Sequence, residues 1–318
     1  MSIEPTTITS IADGGQVPPS AQMELRFKAP YDWARVLRFF SGRAIPGVEQ
    51  VVGGVYRRTV DLHGDAGRLT VTKHPRRHCL IATVDGAAAR HVDDAFARRV
   101  ASMFDLGADP AAIGGGLARD PWFAPLVAAA PGLRVPGAWS GFELAVRAIV
   151  GQQVSVKAAT TIVGRLVQRA GERVVLDDGG PAWRFPTPHA LAACDLEKIG
   201  MPGKRAAALT GMARAVADGH VPLDPAHADL DTLRRAWLDL PGIGPWTVEY
   251  IAMRAWRDPD AWPASDLVLM QSIAARDPSL DRLASQKRRT DGWRPWRAYA
   301  ALHLWNDVAD RAGGARGG

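Results

Sequence analysis

The hydrophobic spacing of this chain changes period once, near Gly107, and that change divides the fold into a sheet-bearing part and a helical part. Before it, Met23-Glu-Leu-Arg-Phe-Lys-Ala29 alternates apolar and polar residues, the period of a half-buried strand. Strand-like runs follow at 55–62, 68–73 and 78–84, the first two joined by His63-Gly-Asp-Ala-Gly67, a hairpin-type loop. Asp32 is placed to cap a helix on which Trp33, Val36, Leu37 and Phe40 share a face. Another helix is predicted over about 89–105, with Val92, Phe96, Val100 and Met103 along one stripe. Beyond Gly107 no strand pattern recurs. Ser140 caps a predicted helix at 142–150, Gly151-Gln152-Gln153 interrupts it, and the next runs over 155–169. Thr187-Pro188 opens a helix to about Cys194, and further helices fit 203–217, 230–238, 246–256, 266–275 and 295–309. The expectation is an α+β fold: an N-terminal antiparallel-sheet domain with helices, then an all-α core.

The ends carry little pattern. Residues 1–22 are polar and aperiodic and read as a disordered leader, and 313–318 as a flexible tail. The opening Met1-Ser2-Ile3-Glu4-Pro5 lacks the basic-then-apolar order of a secretory signal, and no apolar run approaches a membrane span. Cytoplasm is the expected location, and no membrane partner is expected. Two cysteines, Cys79 and Cys194, are too few for a disulfide framework or a four-thiolate cluster, so no metal site is expected. The formal net charge of +6 suits a polyanionic partner, because basic side chains displace counterions from phosphates. Of eleven tryptophans, Trp237, Trp246, Trp256, Trp262, Trp293, Trp296 and Trp305 crowd the last quarter. They are either base-stacking surfaces or the core of a helical bundle.

Leu240-Pro241-Gly242-Ile243-Gly244-Pro245-Trp246 lies between two predicted helices. Gly242 and Gly244 permit positive φ or close backbone approach, and Pro245 suits a first helical turn. The product is a tight helix–hairpin–helix turn with free N–H groups at a helix N-terminus, a natural phosphate seat that reads no sequence. A plain Gly/Pro turn in a bundle has the same pattern. Asp266 lies 22 residues beyond Gly244, room for a helix of about three turns and a return loop. An Asp there is either an ordinary helix cap or a carboxylate facing a nucleotide held at the hairpin, where an anion stabilises an oxocarbenium-like state. Asp260 is the neighbouring carboxylate, but sits early in the loop.

Hairpin, spaced Asp and intervening aromatic helix resemble the helix-hairpin-helix–Gly/Pro–Asp superfamily of DNA glycosylases, and within it the bacterial 3-methyladenine DNA glycosylase II type. The likeness spans about Pro30 to Trp305. It is carried by Pro30-Tyr-Asp-Trp33, Phe142 to Gln152, Gly200-Met-Pro-Gly-Lys-Arg205, Leu240 to Tyr250, Asp266 to Gln271 and Trp296 to Trp305. The resemblance implies a domain at 23–115, a helical subdomain from 116–140 plus 259–312 that carries the catalytic Asp266, and one at 141–258 with the hairpin. It implies an aromatic base pocket of Trp246, Tyr250, Trp305 and Phe39; Trp246 and Tyr250, four apart on one helix, also share a face on spacing alone. It implies that Gly242, Ile243, Gly244, Gln152 and Gln153 meet DNA, the loop Gly151-Gln152-Gln153-Val154 acting as a minor-groove wedge. Here the sequence departs from the pattern: Gln153 stands where the best-known type has an apolar Leu, and a Gln fills the gap with hydrogen bonds more than with stacking.

The implied partner is double-stranded DNA with a flipped damaged base, met by a monomer. No cofactor is implied beyond a monovalent cation on hairpin backbone carbonyls. Family members that cut the strand place a Lys just after the hairpin; here the residue is Trp246, and no Lys occurs between Lys204 and Lys287. Without that amine the expected chemistry is hydrolysis of alkylated bases alone. A same-fold enzyme for deaminated, mismatched or oxidised bases needs a polar pocket, and no polar set is evident around Trp246 and Tyr250. Asp266 argues against a non-catalytic helix-hairpin-helix DNA-binding protein, and an activity assay decides between the two.

Overall fold

The computed structural model describes residues 6–11, 20–175 and 183–314, and the period change near Gly107 is the seam of its architecture. Before the seam, β1 (Thr6–Ile11), β2 (Ser20–Arg26), β3 (Glu49–Val52), β4 (Val55–Leu62), β5 (Asp65–Lys73) and β6 (Cys79–Asp85) form one antiparallel sheet in the order β1-β2-β6-β5-β4-β3. The alternation in β2 puts Ala21, Met23 and Leu25 into the core. Helices α1 (Trp33–Ser41) and α2 (Asp94–Met103) cover that face with Val36, Leu37, Phe40, Phe96 and Val100. Asp32 caps α1 as expected, accepting from the Arg35 N–H at 3.0 Å.

Several boundaries differ from the sequence reading. Thr6–Ile11 lies inside the expected leader yet pairs with β2, which itself starts at Ser20; residues 1–5 and 12–19 lie outside the described residues. Its β-branched composition, Thr-Thr-Ile-Thr-Ser-Ile, was the overlooked indication. β3 was missed because it is four residues long; it turns into β4 through Gly53-Gly54, both at positive φ, the twist a two-residue hairpin needs. The helix expected over 89–105 starts later. A 3₁₀ turn occupies Ala87–His91, and Asp93 caps α2 through the Phe96 N–H.

Beyond the seam lie α3 (Pro110–Leu117), α4 (Ala124–Ala129), α5 (Gly141–Val150), α6 (Val156–Ala170), α7 (Pro188–Ala193), α8 (Gly203–Ala217), α9 (Leu230–Leu238), α10 (Pro245–Arg254), α11 (Leu267–Arg276), α12 (Leu283–Asp291) and α13 (Arg297–Gly314). The part is not all-α: β7 (Glu172–Arg173) pairs with β8 (Trp183–Arg184). Two-residue strands leave no periodicity to read. This ribbon is held by docking, since Trp183 N–H donates to Gly47 O at 2.8 Å and the Thr59 hydroxyl donates to Trp183 O. α3 was hidden by Gly114-Gly115-Gly116, poor helix formers; Pro110 at its start and the Asp109 cap on Ala111 and Ala112 compensate. α13 runs through Gly314, into the expected tail, and 315–318 lie outside the described residues.

One buried cluster unites Ile149, Leu166, Leu209, Trp237 and Ile251 from 141–258 with Phe123, Ile273, Trp293 and Leu304 from the flanking segments. Polar contacts then fix the sheet domain to the helices. Arg58 donates to Glu143 at 2.7 Å, Arg147 donates to Glu143 at 2.6 Å and also to Glu49, and the Tyr56 hydroxyl donates to Glu49 at 2.5 Å. Burial pushes the Glu143 carboxyl up, but Arg58 and Arg147 overcome it and hold its pKa at about 2. Among the described residues no helix is long and apolar enough to cross a membrane, and no His, Cys, Asp and Glu cluster suits a metal.

Candidate active site

Helix α10 begins at Pro245, directly after the hairpin. Gly242 has φ +82, and a Cβ there would lie 2.6 Å from Ala208 Cβ on α8, so conformation and packing both require glycine. Gly244 is different. Its φ is −103, and a Cβ there would have nothing within 4 Å, so its smallness leaves the backbone open to solvent and to anything that approaches. Among the described residues the N–H groups of Gly244, Trp246 and Thr247 have no acceptor, which makes this helix start a seat for an anion. Ile243 does not present itself: its side chain is 6% exposed and its N–H donates to Leu240 O at 3.1 Å.

The return loop brings Asp266 back to α10, as its spacing predicted. Asp266 caps α11, its Oδ1 accepting from the Leu269 N–H at 3.0 Å. The same oxygen accepts from Trp305 Nε1 at 3.0 Å, and Oδ2 accepts from Trp246 Nε1 at 3.0 Å. Asp266 is thus a helix cap whose carboxylate also lines the cleft. Asp260 is excluded from the cleft by its bonds to Arg294 and Arg297.

Trp246 and Tyr250 stack, with ring centroids 5.2 Å apart and planes at 10°, and Trp305 meets Tyr250 edge-on at 6.4 Å. Phe39 joins them from α1. These side chains and Asp266 line a cleft of about 1150 Å³, and no lysine is among its lining residues. An aromatic cleft with an anion at one wall suits a flat ring attached to a centre that becomes positive.

Two arginines in this wall escaped the sequence reading. Arg254 lies over Phe39 at 4.6 Å and donates to the Tyr250 hydroxyl at 2.7 Å; Arg43 lies over Phe39 at 3.9 Å. Burial raises the Tyr250 pKa, but the Arg254 and Arg43 charges outweigh it and hold the phenol below its ordinary range. The overlooked indication was spacing: Arg254 follows Tyr250, and Arg43 follows Phe39, by four residues. A polar set therefore does stand beside the aromatic rings.

The loop after α5 contributes the cleft's other rim. Gln152 is half-buried, its amide donating to Gly242 O and Thr247 Oγ1, both at 3.1 Å, so it braces loop against hairpin. Gln153 is exposed, at φ +57, a left-handed conformation that projects its side chain from the apex of the turn.

Comparison with known proteins agrees with this geometry. Residues 22–140 match the AlkA N-terminal domain family, and residues 146–298 match the HhH-GPD superfamily base excision DNA repair protein family. The chain is 36% identical to DNA-3-methyladenine glycosylase 2 of Escherichia coli over 88% of this chain and 95% of that protein. It is 39% identical to a probable bifunctional transcriptional activator/DNA repair enzyme AlkA of Mycobacterium tuberculosis, over 91% of this chain and 57% of that protein. Among solved structures, the 3-methyladenine DNA-glycosylase from Archaeoglobus fulgidus superposes with a TM-score of 0.74 at 20% identity, covering 88% of this chain and 96% of the other, a likeness of fold.

Proposed function

The chain belongs to the HhH-GPD superfamily of base excision DNA repair proteins, and we propose that it hydrolyses the N-glycosidic bond of alkylated bases, 3-methyladenine and similar, leaving the abasic strand uncut. The observation that carries this reading is Asp266, its two oxygens fixed by Trp246, Trp305 and Leu269 within an aromatic cleft beside an open helix N-terminus. Methylation at a ring nitrogen makes the base a good leaving group, so little acid catalysis is required. As the C1′–N bond lengthens, positive charge grows on the sugar, and the Asp266 carboxylate stabilises it without reorganising, because three N–H donors already hold it in place. Water then adds to C1′, with Asp266 taking its proton. Trp246, Tyr250, Trp305 and Phe39 grip the base by stacking, which tolerates many ring shapes.

The partner in this reading is double-stranded DNA whose damaged base is flipped into the cleft, and the enzyme works as a monomer in the cytoplasm. The N–H groups of Gly244, Trp246 and Thr247 take a backbone phosphate, while Gln153 enters the gap left in the stack and hydrogen-bonds the orphaned partner base. A monovalent cation on the hairpin belongs to the same reading. The Leu240 and Gly242 carbonyls would hold it, each keeping a lone pair beyond that given to the Ile243 N–H or the Gln152 amide, and it would add positive charge beneath the phosphate.

Incubating the protein with randomly methylated DNA is expected to free 3-methyladenine and related bases, identified by chromatography. Absence of any freed base from a folded preparation would refute the assignment. The hairpin glycines separate fold from binding. Gly244→Val is expected to weaken binding to all duplexes alike, by about tenfold, the loss of one charge-assisted hydrogen bond, without lowering the melting temperature. Gly242→Val is expected to lower the melting temperature as well, since it meets Ala208 at a positive φ. A loss that varied with duplex sequence would contradict backbone anchoring.

A further inference from the structure

We propose that an apolar rim beside Asp266, formed by Leu267, Val268 and Val308, seats the deoxyribose edge of the damaged strand next to the flipped nucleotide, and that apolar contact rather than charge holds the strand on that side of the cleft. The proposal rests on the glycosylase reading above and deepens it. Large apolar side chains that stand in solvent are ordinarily scattered singly. Here they collect. Val156, Leu267, Val268 and Val308, four of the eight exposed among the described residues, all border this one cleft. Val156 opens α6, just after the Gln153 turn. The other three come together on the rim that carries Asp266, because α11 packs on α13. Leu267 is 66% exposed and is the first residue of α11, directly after its Asp266 cap.

Position, charge and chemistry together decide the occupant. Asp266 acts at C1′ of the flipped nucleotide, and the Cα of the next residue is only about 3.8 Å along the chain. Leu267 therefore reaches the sugars around that carbon and not a distant part of the duplex. Helices α11 and α13 contribute only uncharged side chains to the cleft, and the neighbouring Asp266 carboxylate repels phosphate. Phosphate anchoring is thus left to the N–H groups at the start of α10. What remains of the strand beside C1′ is the C–H surface of deoxyribose, which an aliphatic side chain covers without leaving a polar group unpaired. The Gln153 rim, by contrast, ends in an amide suited to a base edge. Covering Leu267 with a sugar takes its apolar surface out of water, so the contact adds affinity without releasing counterions.

Affinity for a duplex with one abasic site, measured across a range of salt concentrations, tests the assignment. Leu267→Ala is expected to weaken binding about three- to tenfold, the loss of the apolar surface removed. The slope of log affinity against log salt is expected to stay at its wild-type value, since no phosphate contact is lost. Adding Val308→Ala is expected to weaken binding further, and Leu267→Met, which restores apolar surface, to bind like wild type. Leu267 is mostly exposed and Ala is a good helix former, so the melting temperature is expected to hold. Single-turnover release of 7-methylguanine at saturating protein is expected to stay within about twofold of wild type, with more protein needed for half the maximal rate. Wild-type affinity in the Leu267→Ala, Val308→Ala double variant overturns the proposal, and so does a loss accompanied by a shallower salt slope, which would make the contact electrostatic. A wild-type protein that frees no methylated base overturns the glycosylase reading itself, and this proposal with it.

Discussion

Asp266→Asn is expected to keep duplex binding and fold while base release falls by a hundredfold or more, the usual cost of removing a preorganised electrostatic stabiliser. The substitution is clean for geometric reasons. Asn is as good a helix cap as Asp, so α11 keeps its first turn. Its single amide oxygen takes the place of Oδ1 and still accepts from Leu269 N–H and Trp305 Nε1. Only the Trp246 indole N–H, facing the amide nitrogen in place of Oδ2, loses its acceptor. The charge disappears while most of the wall remains. Two measurements separate the effects: single-turnover release from a methylated duplex, and affinity for a duplex with an abasic site. Trp246→Phe is the control for wall disturbance, since it removes the indole N–H but leaves the carboxylate, and its loss is expected to be the smaller one. Near-normal release by Asp266→Asn would remove Asp266 from the chemistry and leave it as a cap alone.

The parts of this site that were legible in the sequence are those set by backbone constraints. Gly242, Pro245 and the spacing to Asp266 each leave a local mark, because positive φ, a first-turn proline and a helix cap restrict residue type. Trp246 and Tyr250 were legible as a pair because a helix places residues four apart on one face. What stayed hidden depends on elements distant in sequence. That Asp266 would be bonded by both Trp246 and Trp305 follows only once α10, α11 and α13 converge. Gln152, read as a DNA contact, also braces the hairpin carbonyl of Gly242, a use no local pattern reveals. Ile243 was read likewise, and its apolar side chain went to the core. The sheet followed the same rule. Alternation exposed β2, β4, β5 and β6, whereas β3 and the β7–β8 ribbon are too short for a period and are held by neighbours.

Borohydride treatment of the wild-type protein on an alkylated duplex is expected to trap no covalent adduct, and installing an amine at Trp246 is expected to create one. Trapping requires a lysine amine at C1′. No lysine lines the cleft; Lys287 is exposed and paired with Asp291 at 2.9 Å. Trp246→Lys places an amine where the indole N–H now meets Asp266, and so beside the reacting carbon. Two opposed effects then separate. The carboxylate favours the protonated amine, so adduct formation is expected to rise as pH is raised, since only the neutral amine attacks. Meanwhile the ring that stacks on Tyr250 at 5.2 Å is gone. Base stacking on one aromatic ring is worth roughly 1–3 kcal/mol, so alkyl-base release is expected to fall about ten- to a hundredfold. A wild-type adduct that vanishes with one lysine, Lys204 or Lys287, would make the protein a strand-cutting enzyme. Unchanged alkyl-base release by Trp246→Lys would place the base pocket somewhere other than between Trp246, Tyr250 and Trp305.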